Sequence, residues 1–163
     1  MRVIHIIDTT VYLIILNVPH HDGIARKPLR PQIMQEFEKF CNEGNTLLLP
    51  FGTIIEAGTH ISDSDNGRKF NLIKKFTQNV QDAISKKMPY TLCGIPRGSG
   101  AEIQILQWIR TYREYAQSGL SLVDSMSVDI FNEMKDIYPD DHVRIWSYDR
   151  VHLDGYDTHP MTD

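Results

Sequence analysis

Four acidic residues lie where a buried charge would be costly or where an apolar run has just ended. They are Asp8 in IIDTTVYL, Glu56 in PFGTIIEAGTHI, Asp124 in LSLVDSMSV and Asp149 in WSYDRVH. A carboxylate buried without a partner is usually neutralised, paired or coordinated to a metal. Carboxylates that converge without balancing Lys or Arg suit Mg²⁺ or Mn²⁺, and such ions activate water for displacement at phosphorus. The four acids together therefore predict a divalent metal site for phosphodiester chemistry.

Each acid taken alone also has a structural explanation, and these alternatives stay open. Asp8 can cap the helix that follows it and gain from the helix dipole. Glu56 can lie on the solvent face of a short helix. Ser121 and Asp124 have the spacing of a capping box. Asp149 can simply be a turn residue.

The elements that must position these acids alternate between strands and helices. Short apolar runs predict buried strands at 3–7, 46–50 and 143–146. Alternation of strands with helices indicates an α/β domain with a parallel sheet, in which ligand sites lie beyond the carboxyl ends of the strands. Asp8 and Asp149 each follow a predicted strand, so we expect them at the same edge of the sheet.

Helical spacing of apolar residues indicates the intervening helices. They are predicted at 11–16, 33–44, 53–61, 68–87, around 105–116 and from 121 to 137. Two apolar faces are predicted from this spacing, one of Phe70, Ile73, Val80 and Ile84, the other of Ile105, Ile109, Tyr112 and Ala116. Two prolines and three glycines between 89 and 100 predict a loop there.

Composition limits the class of protein. The 163 residues are enough for one domain with its own core, and 41% hydrophobic and 23% charged residues are ordinary for a globular protein. The net charge of -4 means that any nucleic acid must bind a local basic patch. Cys41 and Cys93 are far apart, which fits a reducing compartment and argues against a structural zinc site. With no long apolar segment we expect no membrane span, and we predict a cytoplasmic location.

The ordered set of acids resembles the PIN-domain ribonucleases. In that family an Asp ends the first strand, often before Thr or Ser, and a Glu lies on a helix after the second strand. A further Asp lies in the first turn of a later helix, and the last Asp follows a strand in a Thr/Ser-x-Asp setting. Asp8, Glu56, Asp124 and Asp149 match this order over residues 3–153. We take 1–153 as the PIN-like nuclease domain, and 154–163 would be a polar C-terminal tail.

The resemblance implies a three-layer fold with a central parallel β-sheet between helices, and a metal-dependent endoribonuclease that hydrolyses single-stranded RNA. Asp8, Glu56, Asp124 and Asp149 would be the catalytic residues and the ligands of Mg²⁺ or Mn²⁺. Thr9 and Ser147 would orient these carboxylates by hydrogen bonds. Many small members are toxins, so the expected roles include a toxin or defence effector, and the expected partners include an antitoxin or other regulatory protein and a second copy in a homodimer.

Two other functions remain open. A PIN-like fold can serve as a binding or assembly module without catalysis, which fits a middle stretch, 63–100, that is longer than in compact toxins. His152 also stands where the family commonly has an aromatic residue. The same acids could instead serve a structure-specific DNA nuclease.

Basic residues concentrate in the middle of this acidic chain. Those that we predict to contact the RNA backbone near the acidic edge are Arg68, Lys69, Lys74, Lys75 and Arg97. The alternative is a solvated helix face with no ligand.

Overall fold

The computed structural model describes residues 2–19, 29–64, 66–148, 152–153 and 155–157. Its strands are β1 (Val3–Ile7), β2 (Thr46–Pro50), β3 (Tyr90–Cys93) and β4 (His142–Trp146). Its helices are α1 (Thr9–Leu16), α2 (Arg30–Asn42), α3 (Phe51–Ser62), α4 (Asn66–Ile84), α5 (Ala101–Tyr115) and α6 (Leu122–Ile137). Short 3-10 turns, Gly98–Gly100 and Ala116–Ser118, flank α5.

The four strands form one parallel sheet in the order β3-β2-β1-β4. The first and last strands in the chain are therefore neighbours, with Ile7 paired to Trp146 in register. Because all strands run the same way, the segments after β1, β2, β3 and β4 emerge at one edge, which is where a site is expected in such a sheet.

Alternating side chains of the strands enter two separate apolar clusters. Ile7, Leu47 and Leu49 pack with residues of α1, α2, α3 and α4 on one face of the sheet. Ile4 and Ile6 belong to the second cluster, with residues of α6 on the other face. The result is helices, sheet and helices in three layers. The predicted α/β class with a central parallel sheet flanked by helices is confirmed, and the arrangement is consistent with a PIN-like fold.

α1 differs from the other helices because it is buried all round. Every residue from Val11 to Leu16 is buried, as expected for a helix that is apolar on all faces. Its eight residues span about 12 Å, far less than a bilayer requires. No helix among the described residues is long and apolar enough to cross a membrane.

The prediction of a loop throughout 89–100 was wrong at its start, where β3 forms. Leu47 to Pro50 of β2 pair with this four-residue strand. The prolines and glycines that dominate the segment lie on either side of Tyr90–Cys93, and so obscured a short edge strand. A strand of four residues is at the lower end of the usual length, so it carries little alternation to detect.

Both predicted apolar helix faces were largely wrong. Phe70, Ile73 and Ile84 of α4 are exposed, whereas Leu72 and Ala83 are buried. In α5 the exposed residues include Ile105, Ile109 and Tyr112, and the buried ones are Trp108 and Thr111. Each helix carries apolar residues on more than one side, so spacing alone did not select the side that packs.

Part of the predicted tail contacts the sheet. The Tyr156 carbonyl accepts a hydrogen bond from the Ile145 amide at 2.9 Å. Asp157 forms a bridge to Arg144, and its carboxylate lies 2.6 Å from Nε2 of His142. The rest of the predicted tail, 154 and 158–163, lies outside the described residues.

Candidate functional site at the carboxyl edge of the sheet

Asp8 lies directly after β1 and is the N-cap of α1, as its helix-capping interpretation predicted. The residue is only 3% exposed. Its Oδ2 accepts three hydrogen bonds, from the Thr10 hydroxyl at 2.6 Å, the Ser147 hydroxyl at 2.8 Å and the Thr10 amide at 3.2 Å. Among the described residues, the hydrogen bonds given to this carboxyl all go to Oδ2.

Asp8 and its neighbours in the chain are held by contacts from two other segments, the end of β4 with the residues after it and the start of α3. The Asp8 amide donates to the Trp146 carbonyl at 3.1 Å, which extends the pairing of β1 with β4. The buried Thr53 hydroxyl of α3 donates to the Ile7 carbonyl at 3.0 Å. The amide of Tyr148 donates to the Thr10 hydroxyl oxygen at 3.3 Å. Asp8 is thus fixed in position by residues of α3, which follows β2, and by residues at and just after the end of β4.

Burial raises the pKa of Asp8 above its ordinary value, and the negative charge of Asp124 acts in the same direction. Hydrogen bonds from Thr10 and Ser147 oppose this shift by stabilising the ionised carboxylate. No ion pair with a described Lys, Arg or His side chain neutralises Asp8 or Asp124. The edge therefore holds negative charge that a cation would stabilise.

Glu56 lies in the second turn of α3, half-buried, and contacts the residue next to Asp8. Its Oε2 accepts a hydrogen bond from the Thr9 hydroxyl at 2.6 Å. Thr9 is buried at the first position of α1. The expected hydrogen bonds from Thr9 and Ser147 to carboxylates of the set are thus present, one to Glu56 and one to Asp8.

Asp124 forms the capping box predicted from its spacing. Its Oδ2 accepts from the Ser121 amide at 2.9 Å, while the Ser121 hydroxyl accepts from the Asp124 amide at 3.1 Å. The first turns of α6 approach α3 closely at Gly52, where an added Cβ would lie 3.2 Å from Met126 and 3.3 Å from Val123. This close packing brings the start of α6, and Asp124 with it, to the edge that carries Asp8.

The oxygen chemistry of these acids fits Mg²⁺ or Mn²⁺, although the described side chains do not complete a metal site. Asp8 and Asp124 are near enough for one charge to affect the pKa of the other, and Glu56 is linked to the same edge through Thr9. Within the described ranges, no group of three or more His, Cys, Asp or Glu residues is arranged to hold a metal ion. Asp149, the fourth predicted ligand, lies outside the described residues.

The predicted RNA-contacting residues are dispersed. On α4, Lys69 and Lys74 are five residues apart and hence about 140° apart around the helix. Lys75 donates from Nζ to the Ile15 carbonyl at 2.8 Å, near the carboxyl end of α1. Arg68 is exposed on the first turns of α4, and Arg97 is exposed in the segment after β3, at the acidic edge of the sheet.

Sequence reasoning missed the supporting roles of Thr10 and Thr53. Thr10 supplies two of the three hydrogen bonds to Asp8, and the Asp-x-Thr spacing of a capped helix start could have indicated it. Thr53 donates a hydrogen bond to the Ile7 carbonyl of β1, and no local sequence pattern indicates such a distant contact.

A cavity of about 530 Å³ lies between α5 and α6, and none of the four acids lines it. Its walls include Trp108, Ile130, Asp129 and Glu133. This cavity has carboxylates of its own, and Asp129 accepts a hydrogen bond from the Thr111 hydroxyl at 2.6 Å, but Asp8, Glu56 and Asp124 of the predicted set lie at the sheet edge instead. No protein-family model, curated protein or solved structure matches this chain.

Proposed function

We propose that this protein is a Mg²⁺- or Mn²⁺-dependent endoribonuclease of the PIN type that hydrolyses single-stranded RNA. The observation that carries the proposal is the environment of Asp8: a buried carboxylate at the carboxyl edge of a parallel sheet, held by hydroxyl donors and next to the charge of Asp124. Burying a carboxylate in this way costs stability, and groups with pKa values perturbed by burial and a neighbouring charge cluster at functional sites.

Three features of the edge support this proposal over simple helix capping. A helix cap needs only one carboxylate oxygen that accepts from a backbone amide, whereas Asp8 also accepts hydrogen bonds from the hydroxyl groups of Thr10 and Ser147. Glu56 accepts a hydrogen bond from Thr9, the residue next to Asp8, although it is not a helix cap. The order of the elements that carry these acids is also the order implied by the family resemblance.

The bound cation would neutralise the acids, activate water and stabilise charge on the phosphate. The chain's own residues would bind the cation and orient the carboxylates that hold it. Asp8, Glu56 and Asp124 would supply ligand oxygens, with Asp149 completing the set. Thr10 and Ser147 hold Asp8 through Oδ2.

RNA cleavage by an Asp8→Asn variant tests the proposal. We expect purified protein to cut single-stranded RNA with Mn²⁺, to lose this activity in EDTA, and to lose it by a factor of at least about a hundred in Asp8→Asn. Asp136→Asn, on the exposed side of α6, is the matched control and should keep full activity. Mn²⁺-dependent cleavage that survived unchanged in Asp8→Asn would refute the proposal, and a preference for structured DNA in a substrate panel would favour a DNA nuclease.

A PIN-like binding module without catalysis is the second candidate, favoured by the lack of a three-acid group among the described residues. Calorimetric titration with Mn²⁺ distinguishes the two. A nuclease should bind Mn²⁺ and lose affinity in Glu56→Gln, whereas a module without a metal site should give no heat with either protein.

A further inference from the structure

The cavity between α5 and α6 combines a closed shape with negative charge. Its volume of about 530 Å³ is within the range of small-molecule sites. Among the described residues its polar lining is made of acids and amides, without a Lys or Arg: Gln104, Gln107, Asp129, Asn132 and Glu133. A ligand that fits this lining must bring positive charge or hydrogen-bond donors.

The half-buried Asp129 of α6 has one carboxylate oxygen with a partner and one without. Its Oδ1 accepts a hydrogen bond from the Thr111 hydroxyl at 2.6 Å. Its Oδ2 is buried and makes no hydrogen bond within the part of the chain that the structure describes. Burial raises the pKa of Asp129, and the nearby Thr111 hydroxyl and Gln107 amide oppose this shift. A buried oxygen of this kind costs free energy until a donor reaches it.

Glu133 places a second carboxylate on the same side of α6. Residues four apart lie one above the other on a helix, about 6 Å apart along its axis. Burial, and secondly the charge of Glu133, raises the pKa of the Cys93 thiol in β3, so this charge acts on the side of α6 that faces the sheet. Neither Asp129 nor Glu133 forms an ion pair with a described basic side chain. Like charges at this spacing repel, and a cation that contacts both would relieve the repulsion.

The rest of the lining indicates which kind of cation fits. Ile103, Ile130 and the buried Trp108 provide apolar surface, which a hydrocarbon chain would cover and a hydrated metal ion would not. Asp129 offers a single oxygen because Thr111 already donates to the other. A single acceptor suits an ammonium group, whereas the guanidinium fork is matched to both oxygens of a carboxylate. Side-chain amide oxygens in the same walls can accept the remaining ammonium protons.

We propose that this cavity binds a linear aliphatic diamine or polyamine, with one ammonium group on Asp129, the next on Glu133 and the methylenes between them against Trp108 and Ile130. A chain of four methylenes separates two ammonium groups by about the length of one helical turn. Two charge-assisted contacts in a partly open cavity give a dissociation constant on the order of 100 micromolar. The site is independent of the nuclease proposal, since none of the four acids at the sheet edge lines it.

Calorimetric titration of the full chain with 1,4-diaminobutane tests the proposal, with EDTA present so that no metal competes. We expect one-to-one binding, and none with 1,4-butanediol, which has the same carbon chain without the charges. Asp129→Asn should raise the dissociation constant at least about tenfold, because the charge is lost while an amide oxygen can still accept from Thr111. Glu133→Gln, at an exposed carboxylate, should raise it about threefold. Glu102→Gln, exposed on α5 and outside the lining, is the matched control and should bind as wild type.

The indole N–H signals of the two tryptophans give a second measurement by NMR. The Trp108 signal should shift on addition of the diamine. The Trp146 signal should not, because that indole is buried in the other apolar cluster and donates to Glu36 at 3.0 Å. The proposal is overturned if a few millimolar 1,4-diaminobutane or spermidine changes neither the heat nor the Trp108 signal, or if Asp129→Asn binds as wild type. Binding that is kept in Asp129→Asn and lost in Asp8→Asn would place the amine at the sheet edge and also overturn it.

Discussion

Thr10→Val probes how the protein keeps a charged Asp8 in a buried position. The change removes the hydroxyl that donates to Asp8 Oδ2 at 2.6 Å and leaves the Thr10 amide and the Ser147 hydroxyl in place. Among the groups that lower the pKa of Asp8, the Thr10 hydroxyl has the largest effect. Because Thr10 is itself exposed, its own packing contributes little to stability.

The expected loss of stability depends on the protonation state of Asp8. A hydrogen bond to an ionised group contributes about 1.5–3 kcal/mol, against about 0.5–1.5 kcal/mol for a neutral pair. Thr10→Val should therefore lower the free energy of unfolding by about 2 kcal/mol where Asp8 is ionised and by about 1 kcal/mol where it is protonated. The pH-dependent part of about 1 kcal/mol corresponds to about 2–4 °C in melting temperature for a chain of this size.

The direction of the pH dependence follows from linkage. The pKa of folded Asp8 lies above its ordinary value of 3.8, so folding takes up a proton between the two values. Stability contributed by this group is therefore present below 3.8 and falls as the pH rises through the folded pKa. Thr10→Val raises the pKa of Asp8 further, so the variant should lose more stability than the wild type as the pH rises.

Urea unfolding of both proteins at several pH values from 3 to 8 measures the effect, and carbon-detected NMR titration of the Asp8 carboxyl measures its pKa directly. Thr77→Val is the matched control, since Thr77 is exposed and its hydroxyl donates within α4 to the Ile73 carbonyl at 2.8 Å. The reasoning is refuted if Thr10→Val and Thr77→Val show the same pH profile, or if the Asp8 pKa falls in Thr10→Val.

The remaining predictions concern the supporting structure. Gly94 has φ of +65°, and an added Cβ would lie 2.9 Å from Ile130, so Gly94→Ala should destabilise by about 3 kcal/mol in urea unfolding. Gly98→Ala, at φ of +57° but in open space, should lose only about 1 kcal/mol; equal losses would contradict the steric argument. The pKa of His5 is lowered from 6.5 to about 3, mainly by burial and secondly by the charge of Arg144. The free energy of unfolding should therefore fall by about 1.4 kcal/mol for each unit that the pH drops below 6.5. His5→Phe should remove that slope, and an unchanged acid profile would show that His5 does not cause it.

The sequence predicted the position of Asp8 because two local signals agreed. An apolar run of strand length ended at an acid, and a helix-capping Asp must precede a helix. The same agreement of spacing and residue type predicted the Ser121–Asp124 capping box, which the structure confirms. Local hydrogen bonding determines both features, so neither needed knowledge of distant contacts.

Features that depend on the rest of the fold were not predictable from the sequence. α5 carries Trp108 on one side and Leu106 and Ile109 on the other, and only the position of α6 decides which side is buried. β3 pairs with β2, and its four residues, between Pro89 and a segment rich in glycine, are too few to give a clear strand pattern in the sequence. The bond from Ser147 to Asp8 joins residues 139 positions apart, which no periodic pattern records.

The placement of β4 beside β1 has a consequence for the order of events during synthesis on the ribosome. Asp8 is synthesised early. Its amide donates to the Trp146 carbonyl and its carboxylate accepts from the Ser147 hydroxyl, and both of these residues are added only after most of the chain has been translated. A nascent chain that has exposed β1, β2 and β3 still has an unpaired edge on β1 and an incompletely held Asp8. The acidic edge therefore assembles as a late step of folding, and an unfinished or truncated chain lacking β4 cannot form it.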